Sequence, residues 1–305
     1  MSTDPQLNAW MRSDHDAWDI VSSVGHTALF VAGLRALHTG SPAAVASDPY
    51  AEHFVAASRD RHLAALLSRT ELSPEAASLP RLYGVQTRFF DRFLLDAARG
   101  GLRQIVILAA GLDTRAYRLS WPPETTVFEA DQPEVLEFKS AVLAEHHARP
   151  TTRHRTIAVD LRDNWPHALV MAGFDPAAPT AWLVEGLRPY LRGAAQSLLF
   201  KRIGLLSAPK SRLAVGELGS QIDAGQFAAI ERQHPGVDIL GGIDFASLTY
   251  NDDGFDLAPW LTERGWTVKH AGNVLDLQFR CGETPTVLEE ELDRMLHSEY
   301  LTASK

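Results

Sequence analysis

The chain has 305 residues, of which 45% are hydrophobic and 22% charged, so it can bury a substantial core in one or two domains. Its apolar runs fall short of the roughly 18 residues of a membrane-spanning helix, and its first residues lack the apolar core of a signal peptide. A single cysteine excludes an internal disulfide, and a net charge of −9 repels phosphodiester backbones, so we predict a cytoplasmic protein without a nucleic-acid or membrane partner.

Helical patterns dominate the beginning of the chain. Apolar residues recur at helical spacing through residues 8–40, and a turn-rich stretch follows them. A second helical region comes next and ends near Ser73. Because both regions precede the first strong strand signal, residues 1–85 are predicted to form a helical N-terminal cap. It would pack on a core of residues 86–305 as one structural unit.

Short apolar runs alternate with helical stretches in the rest of the chain. The nearly all-apolar segment 103–110 is typical of a strand buried on both faces of a parallel sheet. Further strands are predicted at 125–130, 156–159, 180–184 and 211–215, and helices at 134–147 and 193–207. Strands separated by helices indicate a doubly wound α/β sheet. The strand-like runs 267–270 and 275–279 predict a β-hairpin that forms an antiparallel edge.

Candidate ligand-binding residues follow the predicted strands. Ligands of an open α/β sheet bind beyond the carboxyl ends of its strands. Those ends are followed, in chain order, by Gly111 and Asp113, by Asp131, by Asp160 and Leu161, and by Glu185. A glycine lets the backbone approach a ligand, and an acid after the second strand can accept hydrogen bonds from ribose hydroxyls. The pattern indicates an adenosine-containing ligand.

The loop after the first strand narrows the choice of ligand. Its sequence, A-A-G-L-D-T-R, lacks the G-x-G-x-x-G with which a dinucleotide site places a helix N-terminus at a pyrophosphate. Asp113 would repel a pyrophosphate but is compatible with a cation such as a sulfonium with its attached amino group. S-Adenosyl-L-methionine combines adenosine with such a centre, so the loop predicts this cofactor. We predict no metal site.

Four sequence blocks stand in order along the chain, at 87–91, 106–119, 127–133 and 183–187. Together they resemble the leucine carboxyl methyltransferase-like family, in particular its bacterial branch of S-adenosylmethionine-dependent methyltransferases. The resemblance extends from about residue 20 to residue 281, and AAGLDTRAYRL is its most specific block. It implies the class I methyltransferase fold, a Rossmann-like, doubly wound sheet of seven strands with the last strand antiparallel.

The resemblance also implies contacts with the methionine part of the cofactor. Arg88 would pair with the carboxylate, because a guanidinium can bind both of its oxygens, and Arg35 would be a second basic residue there. Gly111 would line the methionine portion, and Glu185 would lie near the amino group and the methyl site. Arg88 could instead be a surface charge, and Glu185 could merely accept backbone hydrogen bonds at a strand end.

The next two strand ends are assigned by the same resemblance to the adenosine. Asp131 would hold the ribose hydroxyls, while Asp160 and Leu161 would contact the adenine. Structural explanations stay open here too. Asp131 and Glu134 have capping-box spacing at the start of a helix, and Asp160 could form a turn.

Asp113 likewise has two interpretations. It could contact the ligand directly, or it could form a local ion pair with Arg115 that fixes the loop. The sequence alone leaves both open.

The segment E-G-L-R-P-Y after the fourth strand bears on the methyl acceptor. It contains neither the [DN]-P-P-[YF] of amino methylation nor the Pro-Cys of cytosine C5 methylation. The resemblance implies O-methylation of a small molecule, either a carboxylate, which needs no general base, or a hydroxyl, which needs one. Glu185, Arg188 and Tyr190 are the candidates to line the acceptor pocket, with no catalytic residue assigned. Arg188 favours an anionic acceptor.

Two other classes of function stay open on the sequence. A protein that binds S-adenosylmethionine without catalysis would share these motifs and yield no methylated product. An NAD(P)-dependent oxidoreductase is disfavoured because both the G-x-G-x-x-G motif and any Tyr-x-x-x-Lys are absent.

Overall fold

Seven strands form one sheet at the centre of the computed structural model, which describes residues 24–68, 73, 76–217, 249–250 and 255–305. In chain order the strands are β1 (Gln104–Leu108), β2 (Thr126–Asp131), β3 (Arg153–Ala158), β4 (Thr180–Glu185), β5 (Arg212–Glu217), β6 (Thr267–Gly272) and β7 (Glu299–Ser304). Their spatial order is β3-β2-β1-β4-β5-β7-β6, and β7 runs antiparallel to both of its neighbours. The doubly wound sheet with an antiparallel last strand is confirmed.

Helices cover both faces of the sheet. They are α1 (Val24–Thr39), α2 (Ala51–Ser58), α3 (Arg61–Leu67), α4 (Ser78–Arg99), α5 (Arg115–Arg118), α6 (Pro133–Glu145), α7 (Trp165–Met171), α8 (Gly193–Leu205), α9 (Leu257–Thr262), α10 (Val274–Arg280) and α11 (Val287–Leu296). A short 3₁₀ turn occupies Arg188–Tyr190. Within the described ranges, no helix is both long and apolar enough to cross a lipid bilayer.

The sheet divides the core into two layers because successive strand residues point to opposite faces. Ile105 and Ile107 of β1 pack in the layer that contains the buried residues of α1, α4 and α11. Val106 and Leu108 pack in the other layer, against residues of α7, α8 and α9. Every residue of β1 is therefore buried, as its apolar sequence predicts.

The helical cap is represented by α1, α2 and α3, which precede the sheet. Residues 8–23 of the first predicted helical region lie outside the described residues. The proposed boundary after residue 85 falls within α4, a single continuous helix that contacts both α1 and strands β1, β4 and β5. Cap and sheet thus share this helix, and their division into two parts stays a prediction.

The predicted hairpin near the end of the described chain is wrong. Residues 275–279 belong to α10, and the antiparallel partner of β6 is β7. Asn273 and Asp276 form a capping box in which each side chain accepts a hydrogen bond from the other residue's backbone N–H. Val274 and Leu277 are buried at helical spacing, so capping and burial outweigh the strand-like alternation of this segment.

Candidate functional site

The parallel strands β1, β2 and β4 have their carboxyl ends at the same edge of the sheet, and β1 lies between the other two. Leu108, the last residue of β1, is in register with Ala130 of β2 and Val184 of β4. The chain order of the strands reverses between β1 and β4, which is where an open α/β sheet opens a crevice for a ligand. Gly111, Asp131 and Glu185 lie at this edge.

The backbone turns sharply as it leaves β1. Ala109 has φ 52° and Gly111 has φ 49°, so two residues close together are left-handed. This conformation costs an alanine about 1–2 kcal/mol, whereas glycine adopts it readily. The turn points the backbone N–H of Gly111 at the Asp131 carboxylate, to which it donates at 2.6 Å.

Asp131 is the last residue of β2 and accepts two backbone hydrogen bonds. Its Oδ2 binds the N–H of Gly111 and its Oδ1 binds the N–H of Gln132, each at 2.6 Å. Burial raises the pKa of Asp131, although these two N–H donors act in the opposite direction. Helix α6 has Gln132 as its N-cap, so capping of that helix does not explain Asp131. Each carboxylate oxygen retains acceptor capacity, and Asp131 can still receive ribose hydroxyls.

Arg115 joins three carboxylates that come from three different parts of the chain. Its Nε donates to Asp91 of α4 at 2.7 Å, and its Nη1 donates to Glu185 at the end of β4 at 2.7 Å. The same Nη1 contacts Asp113 of the loop, which confirms the local ion pair, and Asp113 also accepts from the Arg115 backbone N–H. Arg118 also donates to both carboxylate oxygens of Asp91, at 2.6 and 2.7 Å.

The acid cluster of Asp91, Asp113, Glu185, Arg115 and Arg118 has a formal charge of −1, from three carboxylates and two guanidiniums. Arg115 is 3% exposed, so these charges lie largely out of water. Burial by itself would raise the pKa of Asp113, but the cations around it, Arg115 foremost, hold that pKa below its usual range. The unbalanced negative charge at the crevice suits a cationic ligand.

Glu185 is held from two sides. Arg115 binds its Oε2, and the side-chain amide of Gln86, on α4, donates to its Oε1 at 2.8 Å. The carbonyl oxygen of Gln86 accepts in turn from the hydroxyl of Tyr300 in β7, at 2.6 Å. Glu185 therefore has contacts well beyond the backbone bonds of a strand end.

The cap reaches the loop after β1 through Arg35. Its Nε donates to Asp48 at 3.0 Å, and its Nη2 donates to the carbonyl oxygen of Leu112 at 2.7 Å. Asp48 also accepts from the hydroxyl of Thr114 at 2.8 Å. Arg35 thus contacts Leu112, the residue that follows Gly111 in the loop after β1.

Arg88 is not brought to this group by any described hydrogen bond. Two residues along a helix are about 200° apart, so Arg88 leaves α4 on another side from Gln86. Its guanidinium is exposed and donates to the carbonyl oxygen of Val45 at 2.9 Å. Its predicted contact with the methionine carboxylate stays a prediction.

Asp160 and Leu161 follow β3, beside the Asp131 end of β2. The side chain of Gln132 connects the two strand ends by donating to Asp160 at 3.1 Å. Asp160 also accepts from the backbone N–H of Arg162 at 2.8 Å and pairs with its guanidinium. Asp160 therefore shapes a turn, and its predicted adenine contact stays a prediction, as does that of Leu161.

The acceptor-pocket candidates lie on the turn after β4. Arg188 contacts the side chain of Gln196 at 3.1 Å and that of Glu299 at 3.6 Å, so its charge is already partly engaged. Tyr190 lies near Tyr83, which is one helical turn before Gln86 on α4. Burial raises the pKa of Tyr83 above its usual range, with Tyr190 and Glu185 adding to the rise.

Sequence reasoning missed Gln86, Asp91 and Tyr300. Asp91 lies in the block at 87–91, and the resemblance of that block to the methyltransferase family was the signal that could have marked it. Tyr300 is 214 residues from Gln86 and carries no local signal.

Comparison with known proteins gives matches along the whole chain. A family model described as leucine carboxyl methyltransferase matches residues 28–204. A Mycobacterium leprae protein named "Putative S-adenosyl-L-methionine-dependent methyltransferase" is 53% identical over 305 residues and 100% of both chains. A Mycobacterium tuberculosis protein with the same description is 52% identical over 301 residues, which cover 99% of each chain. The crystal structure of a DUF574 family protein from Streptomyces avermitilis has a TM-score of 0.53 at 17% identity, covering 90% of this chain and 96% of that one, and supports the fold.

Proposed function

Because the chain belongs to the leucine carboxyl methyltransferase family, we propose that it transfers a methyl group from S-adenosyl-L-methionine to an oxygen atom of a small-molecule acceptor. The observation that carries this proposal is the group of Gly111, Asp131 and Glu185 at adjoining strand ends. Glu185 also belongs to the buried acid cluster, which has a formal charge of −1. A ligand with an adenosine and a sulfonium fits both features.

The residues of this crevice fit the parts of the cofactor. Asp131 would accept from the ribose hydroxyls, and Asp160 and Leu161 would contact the adenine. Glu185 would accept from the methionine ammonium, and Gly111 would leave room for the methionine chain. When bound, the cofactor supplies a methyl group that its positive sulfur has already activated.

The protein's part in such a transfer is to position the acceptor in line with the methyl group. Orientation of this kind can lower a barrier by about 7–11 kcal/mol. Glu185 is poorly suited to remove a proton, because Arg115 and Gln86 already bind its two oxygens. Burial raises the pKa of Tyr83, so its phenol is harder to ionise than usual and is poorly suited to act as a general base. Both features favour an acceptor that is already anionic, a carboxylate, over a neutral hydroxyl.

Calorimetric titration with S-adenosylmethionine tests the cofactor site. We expect Asp131→Ala to weaken binding by about tenfold or more, because hydrogen bonds to a charged group contribute about 1.5–3 kcal/mol each. Asp175→Ala is the matched control, since this exposed acid precedes β4 at the opposite edge of the sheet. Equal affinity of wild type and Asp131→Ala would remove the ribose assignment.

Incubation with methyl-labelled cofactor and a panel of carboxylic acids and phenols tests the acceptor. A methyl ester releases labelled methanol in mild alkali, whereas an aryl methyl ether keeps its label. We expect an alkali-labile product from a carboxylic acid. Tight cofactor binding without a labelled product from any acceptor would instead support a non-catalytic binding protein.

A further inference from the structure

Two hydrogen bonds connect Tyr300 of β7, through Gln86 of α4, to Glu185 in the crevice. The Tyr300 hydroxyl lies 2.6 Å from Gln86 Oε1, and Gln86 Nε2 lies 2.8 Å from Glu185 Oε1. Tyr300 is fully buried and Gln86 is 3% exposed, so water does not compete for these bonds. Neither residue belongs to the group at the strand ends described above.

The direction of each hydrogen bond follows from the chemistry of the groups. An ionised Glu185 can only accept, so the NH₂ of the Gln86 amide must face it and the amide oxygen must face Tyr300. The Tyr300 hydroxyl therefore donates to that oxygen. Turning the amide over would place its carbonyl against the carboxylate, so Glu185 sets which end of Gln86 faces it. The Tyr300 hydroxyl holds the amide in that orientation by donating to its oxygen.

We propose that Gln86 and Tyr300 are positioning residues that fix the Glu185 carboxylate for the ammonium group of the methionine part of the cofactor. This inference rests on the proposed function, because it assumes that Glu185 meets that group. Arg115 binds one oxygen of Glu185 and Gln86 binds the other, so the plane of the carboxylate is set from two sides. A carboxylate held in its binding orientation loses little further freedom when the ligand arrives.

The packing of Tyr300 supports a positioning role. Its ring makes edge contacts with Phe89 of α4, at a centroid distance of 5.6 Å, and lies over Gly216 of β5. A Cβ on Gly216 would lie 2.3 Å from Tyr300 Cδ1, so the glycine leaves the space that the ring occupies. Because the Tyr300 ring is packed between Phe89 and Gly216, its hydroxyl is held at a fixed position.

The test compares two ligands that differ in the amino acid part. S-Adenosylhomocysteine carries the ammonium and carboxylate, whereas methylthioadenosine has the adenosine and sulfur without them. Both are titrated by calorimetry into wild type, Tyr300→Phe and Gln86→Leu, with thermal unfolding measured for each. Tyr117→Phe is the matched control, because this tyrosine lies on α5 but its ring contacts Tyr50 and His154.

We expect Tyr300→Phe to weaken S-adenosylhomocysteine about three- to tenfold, and Gln86→Leu about ten- to a hundredfold, as the loss of a neutral and of a charged hydrogen bond implies. Affinity for methylthioadenosine should stay within about twofold of wild type, because this ligand has no ammonium group with which Glu185 could form a hydrogen bond. If Gln86→Leu fails to fold, Tyr300→Phe alone decides.

Two results would overturn this inference alone: equal weakening of both ligands, which marks a general structural effect, or unchanged affinity for S-adenosylhomocysteine. Failure of the wild type to bind either ligand would overturn the proposed function and this inference together.

Discussion

Replacement of Gly84 by alanine tests the packing between the cap and α4. A Cβ at this position would lie 2.2 Å from the Cε1 and Nε2 atoms of His38, far inside van der Waals contact. His38 is 2% exposed, and its Nε2 accepts from the backbone N–H groups of Val45 at 3.0 Å and Ala46 at 3.4 Å. The ring cannot move without loosening these bonds.

The expected loss of stability for Gly84→Ala combines three effects. Alanine is favoured over glycine inside a helix by up to about 1 kcal/mol. Overpacking of a filled core costs about 1–3 kcal/mol, and each weakened hydrogen bond costs about 1 kcal/mol. With two such hydrogen bonds, we therefore expect the free energy of unfolding to fall by about 2–4 kcal/mol.

Urea denaturation measures this change, and Gly33→Ala is its control. Gly33 lies inside α1, where a Cβ would meet Leu63 at 3.7 Å and Val55 at 3.8 Å, ordinary contact distances. Alanine there should raise the free energy of unfolding by up to about 1 kcal/mol. The two substitutions should thus have opposite signs. Stabilisation by Gly84→Ala would refute the packing argument.

Three further predictions concern other parts of the molecule. Burial lowers the pKa of His38 from 6.5 to about 4, so between these pH values the unfolded chain binds a proton that the folded protein does not. The free energy of unfolding should therefore fall as the pH drops from 6.5 to 4, and His38→Gln should flatten this part of its pH dependence. Lys139→Met removes the ammonium 2.7 Å from the fully buried Glu129 and leaves that carboxylate with His154, at 2.9 Å. It should cost about 3–5 kcal/mol in urea denaturation, partly recovered by adding Glu129→Gln. Gly216→Ala should displace the ring of Tyr300 and weaken S-adenosylhomocysteine more than methylthioadenosine in calorimetry; equal effects would contradict this.

The central strands could be predicted from the sequence because burial on both faces demands an uninterrupted apolar run. Residues 105–108 are all apolar and are all buried in β1. The segment 275–279 misled the same reasoning, because Leu275, Leu277 and Phe279 alternate as in a strand. The decisive signals were the capping residues Asn273 and Asp276, which mark the beginning of a helix.

The candidate site could be predicted only as far as topology brings strand ends together. Parallel strands place their carboxyl ends at one edge, so Gly111 and Asp131 were expected as neighbours, and they are hydrogen-bonded. The contact of Gln86 with Tyr300 depends on how α4 packs across the sheet, which no local pattern encodes. Arg88 illustrates the same limit, since a sequence block does not tell which face of a helix each residue takes.

The place of β7 in the sheet has a consequence for how the chain assembles during synthesis. β5 and β6 emerge from the ribosome before β7, yet they do not pair with each other, since β7 lies between them. Before residues 299–304 are synthesised, one side of β5 has unpaired N–H and C=O groups, which can pair with a strand of another incompletely folded chain. The pairing of β7 with β5 and β6 is therefore a late step that completes the sheet. The same step brings the Tyr300 hydroxyl within hydrogen-bond distance of Gln86 on α4.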